Sequence, residues 1–290
     1  MSYVIATAST ADLKREYLDE HKIPFISYSY TIGDELYEDD CREETRQSIY
    51  EKMRGGAILS TSAINSYTYH EFFESLVAKG DDVIFLDMSR PLSSSYRFAE
   101  EAIEELKEEY PDRIVINVDT CCVSGGLGML VEKVVGLYEA GKTMEEVLTW
   151  IEQNKLRIAH RFTVDDLNWL KRGGRVSNAS ALVGTLLSIK PVLYVPNDGS
   201  LQAVENVRGR KKALNSIIES IKADVKNPDD IVFHILHADC LEDVLYVQNT
   251  LLELFPKASI EISCLGVVIG AHCGPGLFTI FYMTDERRPK

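Results

Sequence analysis

The chain has 290 residues, 45% of them hydrophobic and 26% charged, a globular composition that excludes a disordered polyelectrolyte, a collagen-like repeat and a disulfide miniprotein. At roughly 100 to 200 residues per domain, two domains are expected. With 31 Lys and Arg against 45 Asp and Glu, the net charge is −14, a field that repels polyphosphate, so no nucleic-acid partner is expected.

From residue 1 to about residue 155, short apolar runs alternate with amphipathic stretches. Tyr3 to Thr7, Phe25 to Tyr30, Val83 to Leu86 and Ile114 to Val118 read as strands, while Tyr96 to Glu109 and Met129 to Ala140 keep apolar residues at helical spacing. Strands alternating with helices indicate a parallel sheet covered on both faces, a three-layer domain. Such a sheet binds ligands beyond the carboxyl ends of its strands. The loops there are rich in hydroxyls: Ser9-Thr10-Ala11-Asp12, Ser89 to Ser95, and Asp119 to Ser124 followed by Gly125, Gly126 and Gly128. Each hydroxyl is equally readable as a helix cap. The acidic run Glu100, Glu101, Glu104, Glu105, Glu108 and Glu109 reads as a solvated helix face.

Thr143 to Asn154 opens with a capping box, Thr143 and Glu146. Beyond it the pattern changes, placing a domain boundary near residue 156, with domains at 1–156 and 157–290. The second part carries a Gly173-Gly174 turn, an apolar helix over Ala179 to Leu187, and strands Pro191 to Val195 and Leu201 to Val207 joined by an Asn197-Asp198-Gly199 hairpin turn. A helix at Lys211 to Val225, a strand at Ile231 to His237, a helix at Leu241 to Phe255 and strands at Ile260 to Cys264 and Leu277 to Met283 complete a mixed α/β domain.

The six cysteines form no CxxC pair, and Cys121 and Cys122 are expected to point to opposite sides of a strand as small buried residues in a reducing compartment. Met1 to Ser9 reads as a strand and turn with no basic leader or cleavage site, so a cytoplasmic location is expected. The longest apolar stretch, Ala179 to Val195, is interrupted by Gly184, Lys190 and Pro191 and is not expected to cross a bilayer. His70, His160, His234 and His237 show no pairing that suggests a metal, and Gly173-Gly174-Arg175 lacks the phosphate-loop pattern and reads as a tight turn. No metal or cofactor is expected. Arg208, Arg210, Lys211 and Lys212 form a basic cluster on an acidic chain, which invites an anion.

Phe162-Thr163-Val164-Asp165-Asp166-Leu167-Asn168-Trp169-Leu170-Lys171-Arg172-Gly173-Gly174-Arg175 continues to Ile189-Lys190-Pro191 and to Val207-Arg208-Gly209-Arg210. This order, DLxxLxxGGR, apolar helix, IKP, DG hairpin and arginine-rich strand end, resembles the central signature of the DegV family. Ser9-Thr10-Ala11-Asp12-Leu13, Thr61-Ser62, Leu92-Ser93-Ser94-Ser95-Tyr96 and His272-Cys273-Gly274-Pro275-Gly276 are similar to its loops, so the resemblance spans the chain. Ala8, Ala63, Ile64 and Ser94 depart from the family's usual aspartate, glutamine, proline and glycine, and Ser94 adds a Cβ beside the expected headgroup.

The resemblance implies a fatty-acid-binding protein whose N-terminal parallel-sheet domain and C-terminal mixed-sheet domain clasp one long-chain acyl chain. It implies a carboxylate site at Thr61, Ser62, Ser93, Ser94 and His272. It also implies that the chain is no enzyme itself, but presents the acid to a separate ATP-dependent fatty acid kinase in phospholipid metabolism, with transient contact at a membrane surface. Arg208 is then the residue to serve the kinase step. An ionised carboxylate needs donors, which hydroxyls, an imidazole and helix-start amides supply. The tail needs a dry channel, for which Ala179, Leu182, Val183, Leu186 and Leu187 offer an apolar stripe. The glycines at 125, 126 and 128 are expected to let backbone approach the tail. A rival reading pairs Ser93 with His272 as a serine hydrolase of acyl esters, although G-x-S-x-G is missing. A third is a lipid-occupancy sensor without a kinase.

Overall fold

Three sheets organise the described residues, and their strand registers explain which loops are brought together. The computed structural model describes residues 2–175 and 189–285. In chain order the first half contains β1 (Tyr3–Ala8), α1 (Arg15–Glu20), β2 (Phe25–Ile26), β3 (Ser29–Ile32), β4 (Glu35–Glu38), α2 (Glu43–Arg54), β5 (Leu59–Thr61), α3 (Ser66–Val77), β6 (Asp82–Asp87), α4 (Ser95–Glu109), β7 (Val115–Asp119), α5 (Gly125–Glu139) and α6 (Met144–Asn154). The second half contains β8 (Ile158–Thr163), α7 (Leu167–Arg172), β9 (Ile189–Tyr194), β10 (Gln202–Arg208), α8 (Arg210–Asp224), β11 (Val232–His237), α9 (Leu241–Leu254), β12 (Ser259–Cys264), α10 (Val267–Cys273) and β13 (Phe278–Met283).

The N-terminal sheet runs β2-β1-β6-β7, and every pairing in it is parallel. All six residues of β6 are buried, as expected of a central parallel strand with both faces covered. In α4 the buried Ala99, Ala102, Ile103 and Leu106 recur at helical spacing, and the acidic run faces solvent. Thr143 and Glu146 form the capping box of α6. The C-terminal sheet has the order β10-β9-β8-β13-β11-β12 and is mixed: β11 and β12 are parallel and the other pairs antiparallel. The 197–199 turn joins β9 and β10 as expected, with Gly199 at φ +75°.

Helix α5 packs against β1 and β6 of the first sheet and also against β8, β11 and β13 of the second. Residues 125–131 of α5 are all buried, as expected of a helix start held between two layers, and glycine opens it because nothing larger fits. A Cβ on Gly125 would lie 2.8 Å from Leu236 and Phe281, and one on Gly126 would lie 2.1 Å from the His160 ring. These glycines therefore serve contact between α5 and the second sheet, which corrects their assignment to the tail. The two halves are also tied by Arg46 of α2, whose buried guanidinium donates to the carbonyls of Asp12 (3.1 Å), Leu13 (2.9 Å) and Cys264 (3.1 Å). At the hairpin tip the Ser89 hydroxyl donates to Gly199 O at 2.8 Å.

Two expectations need correction. The run Phe25 to Tyr30 splits: β2 joins the parallel sheet, while β3 leaves it for a three-stranded antiparallel sheet, β4-β3-β5. Exposed Glu35, Leu36 and Glu38 give β4 no inward apolar run to read, and its hairpin turns at Gly33, φ +60°. Cys121 and Cys122 lie beyond the end of β7, not on a strand. Asp119 Oδ1 accepts from Cys121 N–H (3.1 Å) and Thr120 Oγ1 from Cys122 N–H (3.1 Å), side-chain bonds that divert the backbone from the sheet. None of the six cysteines is paired in a disulfide among the described residues, and no helix among them is long and apolar enough to cross a membrane.

Candidate ligand-binding site

A cavity opens between the loops of the first half and β8, α7, α10 and β13 of the second. It holds about 840 Å³ of space free of atoms, counted to its open mouth. Its walls are largely apolar, with Met88, Phe162, Leu170, Val268, Leu277 and Phe281 among them. Its polar groups come from chain ends: Thr61 closes β5, Ser93 precedes α4, and His272 lies in the last turn of α10. A largely apolar cavity with a few convergent donors is the form expected of a small-ligand site.

The donors face one cavity in separate pairings. Thr61 Oγ1 lies 2.8 Å from His272 Nε2. Ser93 Oγ accepts from the Ser95 N–H at 3.2 Å, so its own O–H is free to donate. The Tyr28 hydroxyl, almost completely buried, stands 3.5 Å from Ser93 Oγ, too far for a full hydrogen bond. Arg175 reaches back over the mouth, with Nε donating to Leu92 O at 3.2 Å and Nη1 to Gly173 O at 2.5 Å. Burial, with the Arg175 cation beside it, holds the His272 imidazole down at about 4, so the ring is neutral near pH 7.

Packing of α7 on α10 fixes the imidazole. A Cβ on Gly173 would lie 2.4 Å from His272 Nδ1, and one on Gly274 would lie 2.3 Å from the Trp169 ring. The Gly-Gly-Arg turn and the His-Cys-Gly-Pro-Gly turn thus interlock, and glycine is required on both sides. Ser124 also lines the cavity, at φ +57°. Its hydroxyl is turned away to donate to the Asp12 carboxyl, which burial pushes up to about 7 against the opposing pull of Arg46.

Of the residues picked out by sequence, Thr61, Ser62, Ser93 and His272 all line this one cavity. Ser94 is exposed and outside the lining, so its Cβ does not crowd the pocket. Ala63 lines the mouth, the Ile64 N–H is held by Ser95 Oγ at 3.0 Å, and Ala8 is buried. Arg208 is exposed at the end of β10 and is not part of the lining. The stripe Ala179, Leu182, Val183, Leu186 and Leu187 lies outside the described residues. His272 is paired with Thr61 and Ser93 with the Ser95 amide, which is not the Ser93–His272 couple a hydrolase needs. Sequence reasoning missed Arg175 and Tyr28. Arg175 ends the very motif that was read as a turn, and Tyr28 sits two residues past a strand with nothing local to mark it.

A family model described as "Uncharacterised protein, DegV family" matches residues 2–285. A DegV domain-containing protein of Clostridium perfringens is 37% identical over 288 residues, covering 99% of each chain. Among solved structures the chain is similar to a DegV family protein from Thermus thermophilus described by its fatty acid binding, at 30% identity and TM-score 0.87, covering 98% of this chain and 100% of that one. It is also similar to DegV of Bacillus subtilis, described as a fatty acid binding protein, at 26% identity and TM-score 0.85, covering 98% and 100%.

Proposed function

The chain belongs to the DegV family, and on that premise we propose that it carries one long-chain fatty acid between an N-terminal lobe, residues 1–156, and a C-terminal lobe, residues 157–290. The observation that carries the reading is one apolar cavity into which Thr61, Ser93 and His272 converge, with a cation at its mouth. The carboxylate accepts from the Thr61 and Ser93 hydroxyls, Ser62 adds a third hydroxyl at the rim, and the Arg175 charge compensates the anion. Neutral His272 acts through Thr61. With its proton on Nε2 it donates to Thr61 Oγ1 and leaves the threonine hydrogen free for the ligand. The tail lies along the apolar wall, where each buried methylene contributes about 0.8 kcal/mol.

The carried acid is presented to a separate ATP-dependent fatty acid kinase. Exposed Arg208 serves that step by docking the partner or neutralising the transferred phosphoryl group. Organic extraction and mass spectrometry of the purified chain should recover one equivalent of free long-chain fatty acid, greatly reduced in Thr61→Val/Ser93→Ala. An empty wild-type protein, or turnover of chromogenic acyl esters, would overturn the carrier reading. Arg208→Ala should keep its lipid and lose acyl phosphate formation with kinase and ATP; unimpaired transfer removes Arg208 from the step.

A further inference from the structure

Three side chains far apart in sequence meet where α5 crosses the β11–β12 edge of the six-stranded sheet: Glu132, His234 and Glu261. The parallel register sets His234 directly beside Glu261, so both side chains leave the same face. That face also carries Leu236, which packs on Gly125 of α5. Glu132, farther along the same helix, completes the trio. His234 Nε2 lies 3.4 Å from Glu132 Oε2 and 3.7 Å from Glu261 Oε2, and the potential ligand atoms all lie within 4.8 Å of one another.

Those separations are too long for hydrogen bonds. They are instead close to the edge of a coordination polyhedron, since two donors each about 2.0–2.2 Å from one tetrahedral ion stand roughly 3.3–3.6 Å apart. The His234 side chain is only 8% exposed, and its Nε2 has no hydrogen-bond partner among the described residues; it points instead at two carboxylates. Two carboxylates around a buried ring repel each other unless one takes up a proton or a cation lies between them. Access is provided from both sides. One cleft, bounded by Lys14, Tyr17 and Ser263, and another, bounded by Asn227 and Asp230, each include all three residues in their walls.

We propose that Glu132, His234 and Glu261 form a site for one divalent transition cation, with Zn²⁺ the best match to an imidazole and two carboxylates, solvent completing the coordination. The ion links a helix of the first half to two strands of the second, and the site is separate from the lipid cavity, with which it shares no residue.

The test uses the full chain, stripped with a chelator and titrated with ZnCl₂ by calorimetry. One equivalent is expected to bind and to raise the thermal midpoint. Glu132→Gln and Glu261→Gln should each weaken binding at least about tenfold. Glu261 is exposed, so its variant remains informative even if Glu132→Gln folds poorly. Bound Co²⁺ should show visible bands without the thiolate charge-transfer absorption that ligation by a cysteine would give. Lipid content should be the same in both variants. Failure of the wild-type chain to bind Zn²⁺, binding undiminished in Glu261→Gln, or a thiolate band with Co²⁺ would each overturn the assignment.

Discussion

Thr61→Val removes one hydroxyl and keeps the branched shape of the side chain, which isolates headgroup recognition from packing. In the free site Thr61 Oγ1 and His272 Nε2 are 2.8 Å apart, and the neutral ring can donate through Nε2, leaving the threonine hydrogen for the ligand. A hydrogen bond to a charged group contributes about 1.5–3 kcal/mol, so the variant's Kd for a fatty acid should rise by roughly 10- to 150-fold. A methyl ester of the same chain accepts only a neutral bond, worth about 0.5–1.5 kcal/mol, and should lose correspondingly less. The increment for lengthening the tail, about fourfold per methylene, should be the same in both proteins because the apolar wall is untouched. Displacement of a fluorescent fatty acid from delipidated protein, run with acids and esters of two chain lengths, measures all three quantities. Equal weakening of acid and ester would refute the reasoning, because Thr61 would then be shaping the cavity rather than receiving a charge.

The ring proton of His272 in lipid-free protein should titrate by NMR near pH 4, not 6.5, and Arg175→Ala should move its midpoint upward. A histidine lowered in this way gives its full share of stability above pH 6.5 and loses it as the pH falls toward 4; a midpoint at or above 6.5 contradicts the burial argument. Gly173→Ala drives a methyl group to 2.4 Å from His272 Nδ1, so it should cost about 1–3 kcal/mol of stability and weaken fatty-acid binding at least as much as Thr61→Val. Wild-type affinity in that variant would show that the ring position is unimportant. Arg46→Met leaves three carbonyls and the buried carboxyls of Asp12 and Asp39 without their cation; a loss of about 3–5 kcal/mol in urea denaturation is expected, and a loss below about 1 kcal/mol counts against it.

Thr61, Ser93 and His272, which line one cavity, were picked out by resemblance to family loops, and of the three only Ser93 before a helix and His272 before Gly-Pro-Gly also carry a local signal. Parallel strands with intervening helices, the capping box of α6 and the 197–199 hairpin were legible directly, since each depends on neighbours in sequence. What escaped depends on contacts over long separations. Arg175 acquires its role only when α7 packs on α10, and Tyr28 only when β3 turns away from the parallel sheet. The small sheet around β3 was hidden because Glu35 to Glu38 is exposed and carries no apolar alternation. His234 showed no metal spacing because its partners lie 102 residues before it and 27 after it, and only strand register and the packing of α5 on β11 unite them.

Because α5 fills the seam between two sheets, neither half owns a finished interior. A chain cut near residue 156 would leave Leu236, Phe281 and His160 facing water, where they now face Gly125 and Gly126. The protein is therefore expected to melt as a single cooperative body, and a separately expressed C-terminal half to be a poor surrogate for the whole.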